Sequence, residues 1–170
     1  DPNYEHDACG VGFVVNIKGE KSHEIIRQAL EMIINLNHRG ACGCEANTGD
    51  GAGILLQIPH AFLAKASAQA GFNLPDAGDY GVGMMFLPQD DSERNECAQI
   101  VASVIAAEGQ TLLGWRDVPT CDEDLGAVAR RLEPVVRQVF IARSDPGEDP
   151  WDFERRLYVI RRQIENRIYG

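Results

Sequence analysis

Cys9 is the residue with the most chemistry to offer. It stands behind the short polar stretch Asp1-Pro2-Asn3-Tyr4-Glu5-His6-Asp7-Ala8 and ahead of Gly10-Val11-Gly12-Phe13. A cysteine that opens an apolar strand is, taken alone, a small buried hydrophobe. Its position changes that reading. Gly10 and Gly12 let backbone or ligand approach closely, and the apolar run that follows would hold the sulfur in a fixed place. If residues 1–8 are removed as a leader, Cys9 owns a free α-amine. An α-amine titrates near about 7.7–8.0 and a thiol near about 8.5, so proton transfer between them costs little at neutral pH. The amine is then a general base built into the nucleophile. While Ala8 remains attached, the nitrogen is an amide whose lone pair is delocalised into the carbonyl, and that base does not exist.

The second constellation is a small-residue loop. His38-Arg39-Gly40 leads into Ala41-Cys42-Gly43-Cys44-Glu45-Ala46-Asn47-Thr48-Gly49-Asp50-Gly51-Ala52-Gly53. Glycines there permit positive φ and close backbone contact. Arg39 and Asp50, held in such a loop, could orient a substrate; Asp50 could equally hydrogen-bond its own loop backbone. His38, Cys42 and Cys44 have the spacing His-x-x-x-Cys-x-Cys, but a structural zinc site usually shows a second ligand pair at a distance. None follows, so no metal is expected. Gly49-x-Gly51-x-Gly53 precedes an apolar run of strand type, whereas a dinucleotide fingerprint opens a helix. There is no serine-centred nucleophile elbow.

The elements that must position these residues can be read from periodicity. Val11, Phe13, Val15 and Ile17 alternate with smaller residues, which predicts a strand with one apolar face; Cys9 shares that parity. Lys18-Gly19-Glu20 turns the chain. Ser22 can cap a helix with the stripe Ile26, Ala29, Leu30, Ile33, Leu36, ended by Gly40. Ile54–Ile58 reads as a strand and His60–Ala70 as a helix with Pro59 at its start. Gly81–Leu87, Thr111–Val118 and Val135–Ala142 read as further strands. Asp90 and Glu93 have capping-box spacing before a helix carrying Cys97, Val101, Val104 and Ile105, which Gly109 stops. The last helix shows Phe153, Leu157, Ile160, Ile164 and Ile168 on one stripe. Strands alternating with helices would, by themselves, suggest a parallel sheet.

Composition narrows the function classes. With 26 acidic against 16 basic residues the net charge is −10, a surface that repels phosphate backbones, so nucleic acid is not an expected partner. The one basic concentration, Arg155, Arg156, Arg161 and Arg162, lies in a helical pattern beside Glu154 and Glu165 and reads as a solvated, salt-bridged face. No apolar run approaches the roughly 18 residues that span a membrane. The first residues form neither a signal peptide nor a transit peptide. His23 and His60 fall at helix starts and read as surface residues. The five cysteines show no framework spacing, which fits reduced thiols in a cytoplasmic compartment.

Cys9-Gly10-Val11-Gly12-Phe13 resembles the mature N-terminus of class II glutamine amidotransferases, in which a cysteine becomes residue one by removal of a leader. His38 to Glu45 and Asn47 to Ile54 look specifically like the glutamate synthase branch of that family. Leu113-Gly114-Trp115-Arg116-Asp117-Val118-Pro119, Glu133 to Gln138 and Phe153 to Arg161 are similar too, so the likeness covers nearly the whole chain. It implies an α+β fold of N-terminal-nucleophile hydrolase type, an αββα sandwich of two largely antiparallel sheets. That replaces the parallel-sheet expectation. Residues 1–8 would be the leader and 9–170 the N-terminal portion of the glutaminase domain.

The resemblance also implies a reaction: L-glutamine is hydrolysed to glutamate and ammonia through a Cys9 thioester, and the ammonia serves glutamate synthesis from 2-oxoglutarate. Cys9 matches the nucleophile, and Arg39 and Gly40 match the Arg-Gly segment near it. FMN and an iron–sulfur cluster are implied for other domains and no cofactor for this segment. Implied partners are the remaining domains, and a small electron-transfer subunit or ferredoxin; the location is cytoplasmic, or a plastid in a plant. The family's Arg-Phe-Ser-Thr-type carboxylate grip, Asn-Gly oxyanion hole and later aspartate do not occur in these 170 residues. The chain alone is therefore expected to be inactive. The alternative is a truncated or degenerate module with a folding or partner-contact role.

Overall fold

The computed structural model describes residues 10–39, 49 and 51–169. The chain forms two compact units, one of residues 1–56 and 122–132, the other of residues 57–121 and 133–170. The architecture is α+β.

The first unit holds helix α1 (His23–Asn35), continued by a 3-10 turn, Leu36–Arg39. Ser22 takes the N-cap position in an extended conformation but makes no side-chain cap bond, so its expected capping is positional only. Glu24 and Gln28 instead join Arg27 in a surface ladder: Arg27 donates to Glu24 at 2.6 Å and to Glu31 at 3.3 Å, and Gln28 donates to Glu24 at 3.0 Å. Gly10–Asn16 carries no strand, contrary to expectation, and neither does 51–58. A strand is stable only as part of a ladder with a packed face, and the described residues supply neither. Val11, Phe13, Val15 and Ile17 are exposed, Ile17 at 99%.

The second unit is built on an antiparallel sheet of order β1-β3-β2, from β1 (Tyr80–Leu87), β2 (Thr111–Asp117) and β3 (Val135–Ala142). β1 and β2 run parallel to one another, as a crossover through helix α3 (Asp91–Ala107) requires, but β3 lies between them and pairs antiparallel with both. The β-α-β alternation in the sequence is thus real, yet among the described residues no parallel pair forms, because the strand that fills the gap arrives by a reversing connection.

Apolar side chains cover both faces. On one, Val139 and Ile141 pack with Val101, Val104 and Ile105 of α3 and with Ile160 and Ile164 of helix α5 (Pro150–Tyr169). On the other, Phe140 and Tyr80 pack with Leu63 of helix α2 (His60–Gln69), with Phe72 and Leu74 alongside. The register between β2 and β3 shifts between Leu112 and Gly114. The extra residue lets Leu112 and Trp115 serve the helix-covered core while Leu113 serves the opposite one. Without the shift, residues three apart would point to opposite faces.

Local signals worked well here. The Glu93 amide donates to Asp90 Oδ1 at 2.9 Å, the expected cap. Gly109 stops α3 with φ +72, a conformation that favours glycine. Short helix α4 (Ala127–Leu132), in the first unit, was not foreseen; six residues give too few turns for periodicity to register. The arginines of α5 form the expected ion-paired face. Arg161 pairs with Glu165 at 2.8 Å, Arg155 with Asp152 and Arg162 with Glu165. Arg156 turns instead toward Glu148.

Candidate active site

The expected site residues all fall in the first unit. Arg39 ends the 3-10 turn that follows α1. Cys9, Gly40 and Asp50 lie outside the described residues, as do Cys42 and Cys44. The structure therefore brings none of the candidates into measured contact with another.

What it does describe is the seat of the segment that follows Cys9. A Cβ built on Gly12 would run into the Met32 sulfur of α1. Gly12, Val14 and Asn16 have one parity; the latter two are half-buried, whereas Val11, Phe13, Val15 and Ile17, of the other parity, are exposed. The segment thus lies with its glycine side toward α1 and its apolar side uncovered. A turn then reverses the chain, with the Gly19 amide donating to the Asn16 carbonyl at 2.9 Å and the Lys18 amide to Asn16 Oδ1 at 2.8 Å.

The described groups outside this segment do not assemble a second reactive centre. A cavity of about 740 Å³ opens where the C-terminus of α3 meets the start of α5, lined by Glu108, Gln110, Asp145, Glu148, Asp152 and Arg156 among others. Its polar groups are engaged with one another. Glu148 accepts from Arg156 Nε at 2.9 Å and from Gln110 Nε2 at 3.2 Å. Gln110 Oε1 accepts from the Ser144 amide at 2.9 Å, and Asp145 from the Gly147 amide at 2.8 Å. The cavity is the outside of a clamp that ties α3 to α5. It holds no nucleophile and none of the candidate residues.

Of the described thiols, Cys97 is buried in α3 and Cys121 is exposed. Burial pushes the Cys97 thiol up from its ordinary value, with Glu96 and Glu93 adding to the effect, so Cys97 is the opposite of an activated nucleophile. His60, expected on the surface, is half-buried, with its Nδ1 3.1 Å from the Tyr80 hydroxyl. Among the described residues no group of three His, Cys, Asp or Glu could hold a metal ion. Likewise no described helix is long and apolar enough to cross a membrane. Trp115 packs into the core, where the Arg137 guanidinium lies 5.2 Å from its ring.

Among the described residues of the second unit no thiol, histidine or carboxylate is arranged for catalysis. Residues 9–170 match the family Glutamine amidotransferases class-II. The chain belongs to this family. This class II glutamine amidotransferase chain is 47% identical over 165 residues to the "Glutamate synthase (NADPH) large chain" of Bacillus subtilis (strain 168), covering 97% of the chain and 11% of that protein. It is 38% identical over 173 residues to "Glutamate synthase (NADH)" of Schizosaccharomyces pombe, covering 99% of the chain and 8% of the relative. To "Ferredoxin-dependent glutamate synthase, chloroplastic" of Oryza sativa subsp. japonica it is 40% identical over 163 residues, or 95% and 10%. The amidotransferase chain thus spans about a tenth of the length of the curated relatives it matches.

Proposed function

We propose that this chain is the N-terminal portion of the glutaminase domain of a glutamate synthase and that Cys9 is its nucleophile once residues 1–8 are removed. The observation that carries the reading is the family match, which opens at Cys9 and runs through the rest of the chain. The seat of the following segment supports it. In extended chain Cys9 has the parity of Val11 and Phe13, the side that α1 does not cover. That side is apolar and exposed, which fits a second sheet packing there, with α1 as the helical layer behind: the αββα sandwich. A Cβ on Gly12 would have to displace the Met32 side chain of α1.

The chemistry follows from the residue. The α-amine of Cys9 takes the thiol proton as Sγ attacks the carboxamide carbon of L-glutamine. The C–N bond breaks, the amine returns the proton to the leaving nitrogen, and ammonia departs. Water then attacks the thioester carbon, glutamate leaves, and the thiol is restored. Arg39, Gly40 and Asp50 are proposed as supports of this site: they belong to the loop next to which the family holds its nucleophile. Oxyanion donors are supplied elsewhere in the longer chain, so the 170 residues alone turn over no glutamine. Loss of a single such donor costs roughly 10²–10³ in turnover.

FMN and an iron–sulfur cluster, which would supply the electrons for glutamate formation from 2-oxoglutarate, are assigned to other domains. The remaining domains, and a small electron-transfer subunit or ferredoxin, are the proposed partners. The cytoplasm, or a plastid in a plant, is the proposed location.

The test uses the full-length enzyme. Mass spectrometry of the native protein should find Cys9 at the N-terminus, and Cys9→Ala should abolish glutamine-dependent glutamate formation while sparing the reaction with free ammonia. Active native enzyme that retains Asp1–Ala8 would refute the mechanism. Equal loss of both activities would make Cys9 structural.

A further inference from the structure

We infer that residues 57–121 and 133–170 are a self-sufficient folding module, energetically independent of the segment that carries the catalytic candidates. This goes beyond the glutaminase reading and does not depend on it. All four candidates, Cys9, Arg39, Gly40 and Asp50, belong to the other unit.

Four features of the module carry the inference. First, its central strand β3 is paired along its whole length on both sides, with β1 and β2 as the edges. Second, one face of that sheet is covered from within by α3 and α5, and the Tyr80 and Phe140 end of the other by α2 with Phe72 and Leu74, while Met84 and Phe86 on that face stay exposed. Val101, Val104, Ile105 and Phe140 are 0% exposed. About a hundred residues suffice for a core of this kind.

Third, several of its polar groups find partners inside the module, although Arg137 Nε and Arg143 Nε are buried without a hydrogen bond. Arg143 donates to the Glu148 carbonyl at 2.7 Å and pairs with Asp79, whose carbonyl accepts from the Arg143 amide at 2.9 Å. Arg156 joins Glu148 to the α3 terminus through the Glu108 carbonyl at 3.3 Å. Fourth, the excursion 122–132, which belongs to the first unit, leaves and rejoins at a clamped place. The Val118 amide donates to the Val136 carbonyl at 3.0 Å, extending the β2–β3 ladder, and Gln89 donates to the Glu133 carbonyl at 2.6 Å. The excursion is therefore an extended connection between two antiparallel strands, and a short turn could replace it.

The first unit offers a contrast. Its described part has no strand ladder, and α1 buries no residue completely.

Hydrogen exchange read by mass spectrometry on the 170-residue chain tests the inference. Amides of α3, β3 and α5 should be protected by roughly a thousandfold or more over those of 122–132. Ile33→Asp in α1, and separately replacement of Asp122–Leu132 by a Gly-Ser-Gly turn, should change the β3 protection by less than about threefold. Val104→Ala should lower it across α3, β3 and α5 together by roughly tenfold or more. A tenfold loss at β3 from either change in the first unit would overturn the inference. So would an unprotected β3 in the parent chain, or a Val104→Ala variant whose β3 exchanges as slowly as the parent.

Discussion

Phe140→Ala strikes the module at its centre. Phe140 is wholly buried in the middle of β3, packed with Leu63 and Tyr80, and meets Phe72 edge-on with centroids 5.2 Å apart at 61°. Truncation removes a ring from a close-packed interior and leaves a cavity that the sheet cannot collapse into, because β1 and β2 flank the site with fixed register. Phe→Ala at such sites costs about 3–5 kcal/mol. Of that, roughly 0.5–1.5 kcal/mol belongs to the ring pair itself. A domain of this size holds roughly 5–15 kcal/mol in all, so the variant should survive folded but marginal. At about 4–8 °C per kcal/mol, the melting temperature should fall by at least roughly 12 °C. Urea denaturation followed by circular dichroism at 25 °C reads the loss as a shift in midpoint at unchanged m. Phe140→Leu separates the terms: it keeps most of the apolar volume and should cost much less. Phe72→Ala combined with Phe140→Ala should be less destabilising than the sum of the two. A loss under about 1 kcal/mol for Phe140→Ala would show that β3 is not the structural centre described here.

Two further outcomes rest on surface chemistry. The Glu24 carboxyl is held down to about 2, first by the Arg27 hydrogen bond, with Gln28 adding to it and burial opposing. Its stabilising contribution is present above the ordinary carboxylate range and fades as pH falls through that range toward the lowered value. NMR titration should find Glu24 the most acidic glutamate of α1, and Arg27→Gln should return it to the ordinary range; because the group is exposed, added salt should weaken the effect. A Glu24 that titrates normally with Arg27 in place would remove the ladder. The second outcome concerns thiols. Exposed Cys121 should alkylate readily, and Cys97, buried and raised, only on unfolding; brief iodoacetamide labelling with peptide mapping checks this. Protected Cys121 or rapid labelling of Cys97 in folded protein would contradict the burial described.

The elements of the module were legible because each of their signals is local. Asp90 and Glu93 mark the start of α3, Gly109 its end, and the stripe Phe153, Ile160, Ile164 names the buried face of α5. Strand β3 came out with its exact span. What periodicity could not give was pairing. The order β1-β3-β2 depends on contacts between residues some 50 apart in sequence, and an alternating strand looks alike whether its neighbour runs parallel or antiparallel. The shift at Leu113 was hidden for the same reason, since a single extra residue has meaning only against a partner strand.

The same logic explains why the site was legible in identity and not in geometry. Gly12 was flagged from sequence as a place of close approach, and α1 occupies that place through Met32. The strand expected around it is absent although its alternation is as clean as that of β1. β1 has β3 beside it and apolar side chains on both faces; Val11, Phe13, Val15 and Ile17 have neither. Alternation therefore records the environment a segment is selected to occupy, and the ladder forms only where that environment is present. On this argument the exposed apolar side next to Cys9 is itself a functional signal. A sequence that places four large apolar side chains on one face specifies a cover for it, because an exposed patch of that size marks an interaction surface.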